Sequence, residues 1–413
     1  MVPGGLGRGG RAAHRSPARG DGTVLNAAYD FDTAIDRTGT ACIKWDRYAG
    51  REIIPLWVAD TDFASPPEVL AALHERVDHG VFGYTRAPRA LVDEVVAHLD
   101  RTFGWTIDPG WLVWLPGLVS GLSVCCRAFA GPGEAVLTST PIYPPFLSCP
   151  TAMERELQTA PLVRESGGWT FDWDAFDAAC DERTRLFLFC SPHNPCGRTW
   201  TEAELTRLVE ECERRDLVIC SDEIHNQLVL DQRPHRPTAT IAPEAAARTV
   251  TLMAPSKTYN IAGLACSYAV IPDDSLRRRF KAAAAMIVPH PNLMGYTAAL
   301  AAYRHGGPWL AAQLDYLRTG RDLVEAAVAD TPGVSMTRVE ATYLAWIDCR
   351  ELGLEHTARH FEDHGLGFQA GREFGSPGFL RWNFGTTHAN TREAIARFRR
   401  AVEAVVAGRA SAG

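Results

Sequence analysis

The 413-residue sequence has no long hydrophobic run. A membrane-spanning helix requires ~18–20 consecutive apolar residues, whereas the apolar stretches here are strand-length and are cut by proline, glycine or charge. An excess of basic charge is missing too: 42 Lys and Arg stand against 49 Asp and Glu, a net charge of −7. That balance argues against a general nucleic-acid binder, which needs a basic face. None of the eleven cysteines forms a C-x-x-C pair, and their number is odd. Several lie in apolar strand-like runs, such as Cys190 in LFLFC and Cys220 in LVIC. Buried, reduced thiols are therefore expected, with no metal site, in a cytoplasmic protein.

The first 22 residues, MVPGGLGRGGRAAHRSPARGDG, are poor in apolar residues and carry no acid before Asp21. Such a segment cannot bury a core, so a disordered tail is expected over residues 1–23. It has no apolar h-region and so does not read as a secretory signal. Five glycines in the first ten residues argue against an amphipathic transit helix. Gly5, Gly7 and Gly10 spell G-x-G-x-x-G, but a dinucleotide fingerprint needs a strand before it and a helix after it. Neither is present.

From about Pro66 onward, helical and strand patterns alternate. PPEVLAALHERV and PRALVDEVVAHLDRTF show helical spacing, the first with proline at its start. EAVLTS (134–139), RLFLFCS (185–191), LVICSDEI (217–224), TVTLMA (249–254) and LACSYAVI (264–271) read as strands. They are apolar throughout rather than alternating, as central parallel strands covered on both faces are. TEAELTRLVEECERR (201–215) reads as a helix between two of them, opened by Thr201 and Glu202. The class is α/β with a mostly parallel sheet. After Pro308 a long helical stretch (309–329), TYLAWIDC and a Gly-rich piece suggest a smaller α+β domain. The expected division is a large domain over 66–305 and a discontinuous small domain formed by 24–65 and 306–413.

Six constellations carry chemistry. In APSKTYNIAGL (254–264), Lys257 follows a strand and Ser256 precedes it. A lysine there can form an imine with an aldehyde cofactor once its surroundings lower its charge, although an isolated S-K pair is more often an ordinary surface lysine. In LVICSDEIH, Asp222 ends another strand 35 residues before Lys257. A carboxylate there can hold a pyridine nitrogen protonated; a helix cap or ion pair is the plain alternative. In SPHNPCGRTWT (191–201), Asn194 has an amide able to donate to a ring oxygen, yet N-P and C-G also make simple turns. In LPGLVSGLS (115–123), Gly117 opens a helix whose free N–H groups can hold a phosphate. In TPIYPPF, Tyr143 is placed to lie on a flat ring or to pack in a core. In GFLRWNFG, Arg381 sits among Phe379, Leu380, Trp382 and Phe384. A guanidinium so placed is suited to a substrate carboxylate.

In order and spacing, these six constellations resemble fold-type-I pyridoxal-5′-phosphate (PLP) enzymes, the class I/II aminotransferase superfamily, from about residue 29 to 405. Within it the chain looks most like the cystathionine β-lyase-like C–S lyase group, the MalY/PatB type. The subgroup marks are YDFDTAIDRTGTACIKWD (29–46), PLWVADTDF (55–63), GVFGYT (80–85), SPHNPCGR, SDEIH and SKTYNIAGL. The resemblance implies a large domain around a seven-stranded, mostly parallel sheet. It implies PLP as cofactor, Lys257 as Schiff-base lysine and proton shuttle, Asp222 on the pyridinium and Asn194 on the ring oxygen. His225 falls where many relatives place a Tyr near that oxygen, and Tyr143 would stack on the ring. Gly117, Leu118 and Val119 would offer backbone N–H groups to the phosphate, joined by the Ser256 hydroxyl. Tyr84 would reach the phosphate of the neighbouring subunit, making a homodimer with shared active sites. Arg381 would bind the carboxylate of an amino-acid substrate.

There are departures from the pattern. Many aminotransferases carry a phosphate-binding Arg eight residues after the lysine, where this chain has Ala265; that favours the lyase subgroup. Thr61 stands where the subgroup often has Met, which suggests a changed substrate entrance. Cys196 reads as a small packing residue. The implied reaction is α,β-elimination from an S-substituted L-cysteine such as cystathionine. Transamination shares every step up to the carbanion, and decarboxylation or oxidative deamination runs on the same scaffold. A purely regulatory protein of this fold is disfavoured by the intact Lys257.

Overall fold

The computed structural model describes residues 29–165 and 168–410. The segment expected to be disordered, with its G-x-G-x-x-G, and residues 24–28 lie outside the described residues. The main sheet has eight strands: β1 (Leu112–Leu115), β2 (Ala135–Thr140), β3 (Glu156–Glu165), β4 (Gly168–Phe171), β5 (Thr184–Cys190), β6 (Val218–Asp222), β7 (Thr249–Met253) and β8 (Ser267–Val270). Their order across the sheet is β1-β8-β7-β6-β5-β2-β3-β4. Strands β3, β2, β5, β6 and β7 pair in parallel. All five residues of β7 and all four of β8 are buried, so the apolar runs are strands covered on both faces.

Seven strands were expected and eight are present. The extra one comes from the edge, where β4 folds back antiparallel on β3. Only Ala160 and Leu162 of β3 are buried, with exposed residues on either side of Ala160, so it lacks the apolar run that marks the central strands.

The helices follow local rules. Helices α1 (Pro67–Asp78) and α2 (Arg89–Phe103) each follow a proline. Helix α3 (Leu118–Phe129) starts at Gly117 and lies close on the sheet: a Cβ on Gly121 would stand 2.9 Å from Leu252. Helix α4 (Glu202–Arg214) opens with a full capping box, in which the Glu204 N–H donates to Thr201 Oγ1 and the Thr201 N–H to Glu204 Oε2. Helices α5 (Leu293–His305), α6 (Gly307–Ala329) and α7 (His388–Ala410) lie beyond β8 in the chain. No helix among the described residues is long and apolar enough to cross a membrane.

A second sheet is antiparallel throughout: β9 (Ser335–Met336), β10 (Leu344–Asp348), β11 (Gln369–Ala370) and β12 (Phe379–Asn383), in the order β9-β10-β12-β11. Trp346, Leu380 and Trp382 are buried in it. Ile54–Pro55 pairs in parallel with Leu366–Gly367, which ties the segment before Pro66 to the chain beyond Pro308. All eleven cysteines are free and nine are buried.

Candidate active site

The parallel strands β2, β5, β6 and β7 present their carboxyl ends on one edge of the main sheet. Strand β8 is antiparallel to β7, and β1 to β8, so β1 ends on that edge too. The segments leaving these five strands carry Gly117 and Leu118 after β1, Tyr143 after β2, Asn194 after β5, His225 after β6 and Lys257 after β7. Ligand crevices form at this edge of open α/β sheets. Here it opens on a cavity of about 300 Å³, lined by Gly117, Leu118, Val119, Tyr143, Asn194, Asp222, His225, Ser256, Lys257 and, from β12, Arg381. Ten of the sequence-predicted residues thus share one cavity. Tyr84 does not: it is fully exposed, on the loop after α1.

The Lys257 ammonium donates to the Ala59 carbonyl oxygen at 2.6 Å. Burial lowers its pKa to about 8, with Asp60 and Asp222 pulling upward and Arg381 downward. Asp222, the last residue of β6, is buried; its carboxylate accepts the Ile224 N–H at 3.1 Å and has no ion pair among the described residues. Burial pushes its pKa up to about 7 against the pull of that N–H and of Lys257. His225 is held neutral by burial, its pKa lowered to about 3, and its Nδ1 has no partner.

Arg381 is 2% exposed. Its Nη1 donates to Asn194 Oδ1 at 3.0 Å and its Nη2 to the Trp57 carbonyl at 2.6 Å, while Nε is buried without a partner. The guanidinium lies over the Phe374 ring at 4.9 Å. Because Arg381 only donates, the Asn194 amide turns its oxygen toward it and keeps its NH₂ for another acceptor.

A strap over residues 57–62 lines the cavity through Trp57, Val58 and Ala59, and the part played by its backbone carbonyls has no sequence signal. The Ala59 carbonyl accepts from Lys257 and from the Tyr343 hydroxyl at 3.0 Å. Asn383 donates to the Asp60 carbonyl at 2.7 Å, and Asn260 to the Thr61 carbonyl at 3.0 Å. Asp62 pairs with Lys44 at 3.0 Å and with Arg37 at 2.8 Å. Thr61 does not change the entrance as expected: it is 1% exposed, outside the cavity lining, and its methyl faces Gly385. Trp57, Val58, Cys190, Cys266 and Gln369, none of them a sequence-predicted site residue, also line the cavity. Cys196 is buried in the core between the main sheet and α4.

Beneath the Asp222 end of β6 lies a second buried group. The Glu223 carboxylate, with no exposed surface, accepts from Ser221 Oγ at 2.8 Å, from the Thr238 N–H at 2.9 Å and from His235 Nε2 at 2.8 Å.

Comparison with known proteins places this geometry. The family model for class I and II aminotransferases matches residues 51–398. Cystathionine beta-lyase PatB of Bacillus subtilis is 34% identical over 385 residues, covering 90% of this chain and all of that protein. The crystal structure of OvoB superposes with a TM-score of 0.89 at 44% identity, over 91% of this chain and 99% of that one. Cystalysin from Treponema denticola, whose structure contains PLP, superposes with a TM-score of 0.88 at 31% identity, over 91% and 99%.

The donor set suits that cofactor. Helix α3 begins with no side-chain cap at Gly117, so its first N–H groups are free for a phosphate. The Asp222 carboxylate lacks a cation partner, and the Asn194 amide and His225 Nδ1 have hydrogen-bonding capacity to spare. Each is a polar group that costs free energy when buried alone, and together they match a phosphate, a ring nitrogen and a ring oxygen.

Proposed function

The chain belongs to the class I and II aminotransferase family, and from that premise we propose that it is a PLP-dependent C–S β-lyase. It cleaves an S-substituted L-cysteine, of the cystathionine kind, to pyruvate, ammonia and a thiol. The observation that carries this reading is the meeting of Lys257, Asp222 and Arg381 in one cavity, in a chain 34% identical to a cystathionine β-lyase.

Lys257 would hold the cofactor through its amine, and Asp222 would keep the ring nitrogen protonated. Asn194 and His225 would face the ring oxygen, Tyr143 the ring, and the N–H groups of Gly117, Leu118 and Val119 with the Ser256 hydroxyl the phosphate. PLP, when bound, takes into its ring the electron pair released at the substrate's Cα. Arg381 holds the substrate α-carboxylate, which fixes the Cα–H bond with respect to Lys257. Freed once the substrate's own amine takes its place on the cofactor, the Lys257 amine, its pKa lowered to about 8, would be neutral in part near pH 7 and would take the Cα proton at Nζ. The Cβ–S bond then breaks with its electron pair on sulfur, and the Lys257 ammonium returns a proton to the departing thiolate. The 2-aminoacrylate left behind hydrolyses to pyruvate and ammonia. Tyr143, Trp57 and the strap restrict water around these transfers.

A homodimer with shared sites fits the surface. Val77, Val81, Phe82 and Tyr84 are all exposed on the end of α1 and the loop after it, apolar surface that a second subunit would cover. Tyr84 would act in the neighbouring subunit's site. The free cysteines fit a reducing, cytoplasmic setting.

The test is incubation of the purified protein with L-cystathionine and with a cysteine S-conjugate, with no keto acid added. Pyruvate and thiol in equal amounts are expected. Product that forms only after a keto acid is supplied would overturn the lyase in favour of a transaminase.

A further inference from the structure

Arg381 and Gln369 are directly opposite one another in the β11–β12 pairing. Side chains so placed share a face of the sheet, with Cβ atoms about 4.5–5.5 Å apart. Both line the cavity, and Gln369 is half-buried. A substrate whose α-carboxylate is on Arg381 therefore has Gln369 as its neighbour on the same sheet. Gln369 Nε2 donates to Glu373 Oε2 at 2.9 Å. A carboxylate can only accept, so the amide must turn its NH₂ toward Glu373, which leaves Oε1 as the free end, an acceptor.

The charges point the same way. Among the lining residues the cations are Lys257 and Arg381, and His225 is held neutral. Lys257 serves the proton transfer and Arg381 the α-carboxylate, so neither remains for a second anion. Arg372, the residue before Glu373, lines a separate surface hollow with His356 and Arg359. Lys44 and Arg37 are committed to Asp60 and Asp62.

We infer that Gln369, backed by Glu373, is the subsite for the group carried on the substrate's sulfur, and that it selects groups bearing a hydrogen-bond donor, above all a cation, over anionic ones. This rests on the lyase reading for the identity of that group.

Three conjugates with the same two-carbon arm on sulfur test it: S-(2-aminoethyl)-L-cysteine, S-ethyl-L-cysteine and S-carboxymethyl-L-cysteine. In the wild type kcat/KM falls in that order, by about tenfold or more from first to last, as a charge-assisted hydrogen bond near solvent gives. Gln369→Leu and Glu373→Gln each compress the range to within about threefold. L-lysine, L-norleucine and L-2-aminoadipate have the same chain lengths and no leaving group, and their inhibition constants follow the same order. A flat or reversed order in the wild type, or an unchanged order in both variants, overturns the inference while leaving the lyase standing. No pyruvate from any conjugate, with lysine still bound more tightly than 2-aminoadipate, sinks the lyase and keeps the subsite. No pyruvate and no order of binding overturns both.

Discussion

Replacing Arg381 by leucine removes the group placed to hold the substrate carboxylate and leaves a smaller, apolar side chain near Phe374. Two of the five guanidinium N–H groups are committed, one to Asn194 Oδ1 and one to the Trp57 carbonyl. Three remain, including the unpartnered Nε, enough for a two-pronged grip on a carboxylate. Hydrogen bonds to a charged group are worth about 1.5–3 kcal/mol each, so two are worth about 3–6 kcal/mol. The lower end of that range is a loss of about 10²–10³ in kcat/KM. The fold is affected as well. Two buried acceptors lose a donor at about 1–3 kcal/mol each. Against that stands relief of a strained burial, since burial lowers the Arg381 pKa to about 10. Arg381→Lys keeps the charge and loses the planar fork, and its deficit should fall mainly on KM. Steady-state kinetics on a cysteine S-conjugate, with PLP content and melting temperature measured alongside, read all three effects. Arg381→Leu with full PLP content and kcat/KM within about threefold of wild type would refute the reasoning, because no charge-assisted pair is worth so little in a closed site.

Lys257→Ala should remove both the covalent hold on PLP and the proton-transferring amine. The yellow absorbance band is expected to vanish and turnover to fall by about a thousandfold or more; a variant that stays yellow and active contradicts the assignment. Asp222→Asn should change how the cofactor-free protein responds to pH. With the Asp222 pKa at about 7 in the fold against an ordinary value near 3.9, the folded state binds a proton that the unfolded chain releases. Wild-type stability therefore falls as pH rises from about 4 to 7, by at most roughly 4 kcal/mol, and the Asn variant lacks that slope. Parallel melting curves for the two proteins across this range would contradict the buried, proton-hungry carboxylate. His235→Leu leaves Glu223 buried without its only side-chain nitrogen donor among the described residues, and a melting temperature lowered by the equivalent of about 3–5 kcal/mol is expected; unchanged melting would mean that the pair does not hold the end of β6. Mixing inactive Tyr84→Ala with inactive Lys257→Ala, after subunit exchange, should restore about a quarter of wild-type activity, the fraction of sites that receive both native residues in a symmetric dimer. No restoration, with hybrids present, would remove Tyr84 from the neighbouring site.

What could be read from the chain alone follows from how each feature is encoded. Lys257, Asp222 and Asn194 each stand just past or at the end of a run that is apolar throughout, and such runs mark central strands whose carboxyl ends meet at one edge. Gly117 at the head of a helix is legible for the same reason. The edge hairpin β3–β4 escaped because its polar alternation resembles a surface segment. Ala59 escaped because its contribution is a carbonyl oxygen, and backbone contacts leave no trace in side-chain identity. Gln369 sits on a strand of two residues, too short for any periodicity, and its meaning appears only once β11 is set against Arg381. Thr61 was read as an entrance residue from its place in VADTDF, yet the strap is pinned by Asn260 and Asn383 so that this side chain turns away from the cavity.

Ala265 shows how a missing side chain and a backbone constraint bear on one another. It holds a left-handed backbone conformation, with φ of 53°, at the end of the turn that carries the chain from Lys257 into β8. L residues rarely adopt that conformation, and side chains that are bulky or branched at Cβ do so least. Without an arginine here, a phosphate in the cavity would be served by neutral donors: the first N–H groups of α3 and the Ser256 hydroxyl. A helix N-terminus alone is worth about 0.3–1 kcal/mol at an exposed site and up to about 2 kcal/mol when partly buried. Retention of PLP in this chain then depends more on the covalent hold of Lys257 and on the Asp222 carboxylate than it would with a guanidinium at the phosphate. Burial perturbs the protonation of both groups on which the cofactor's hold would then chiefly rest, raising the Asp222 pKa and lowering that of Lys257.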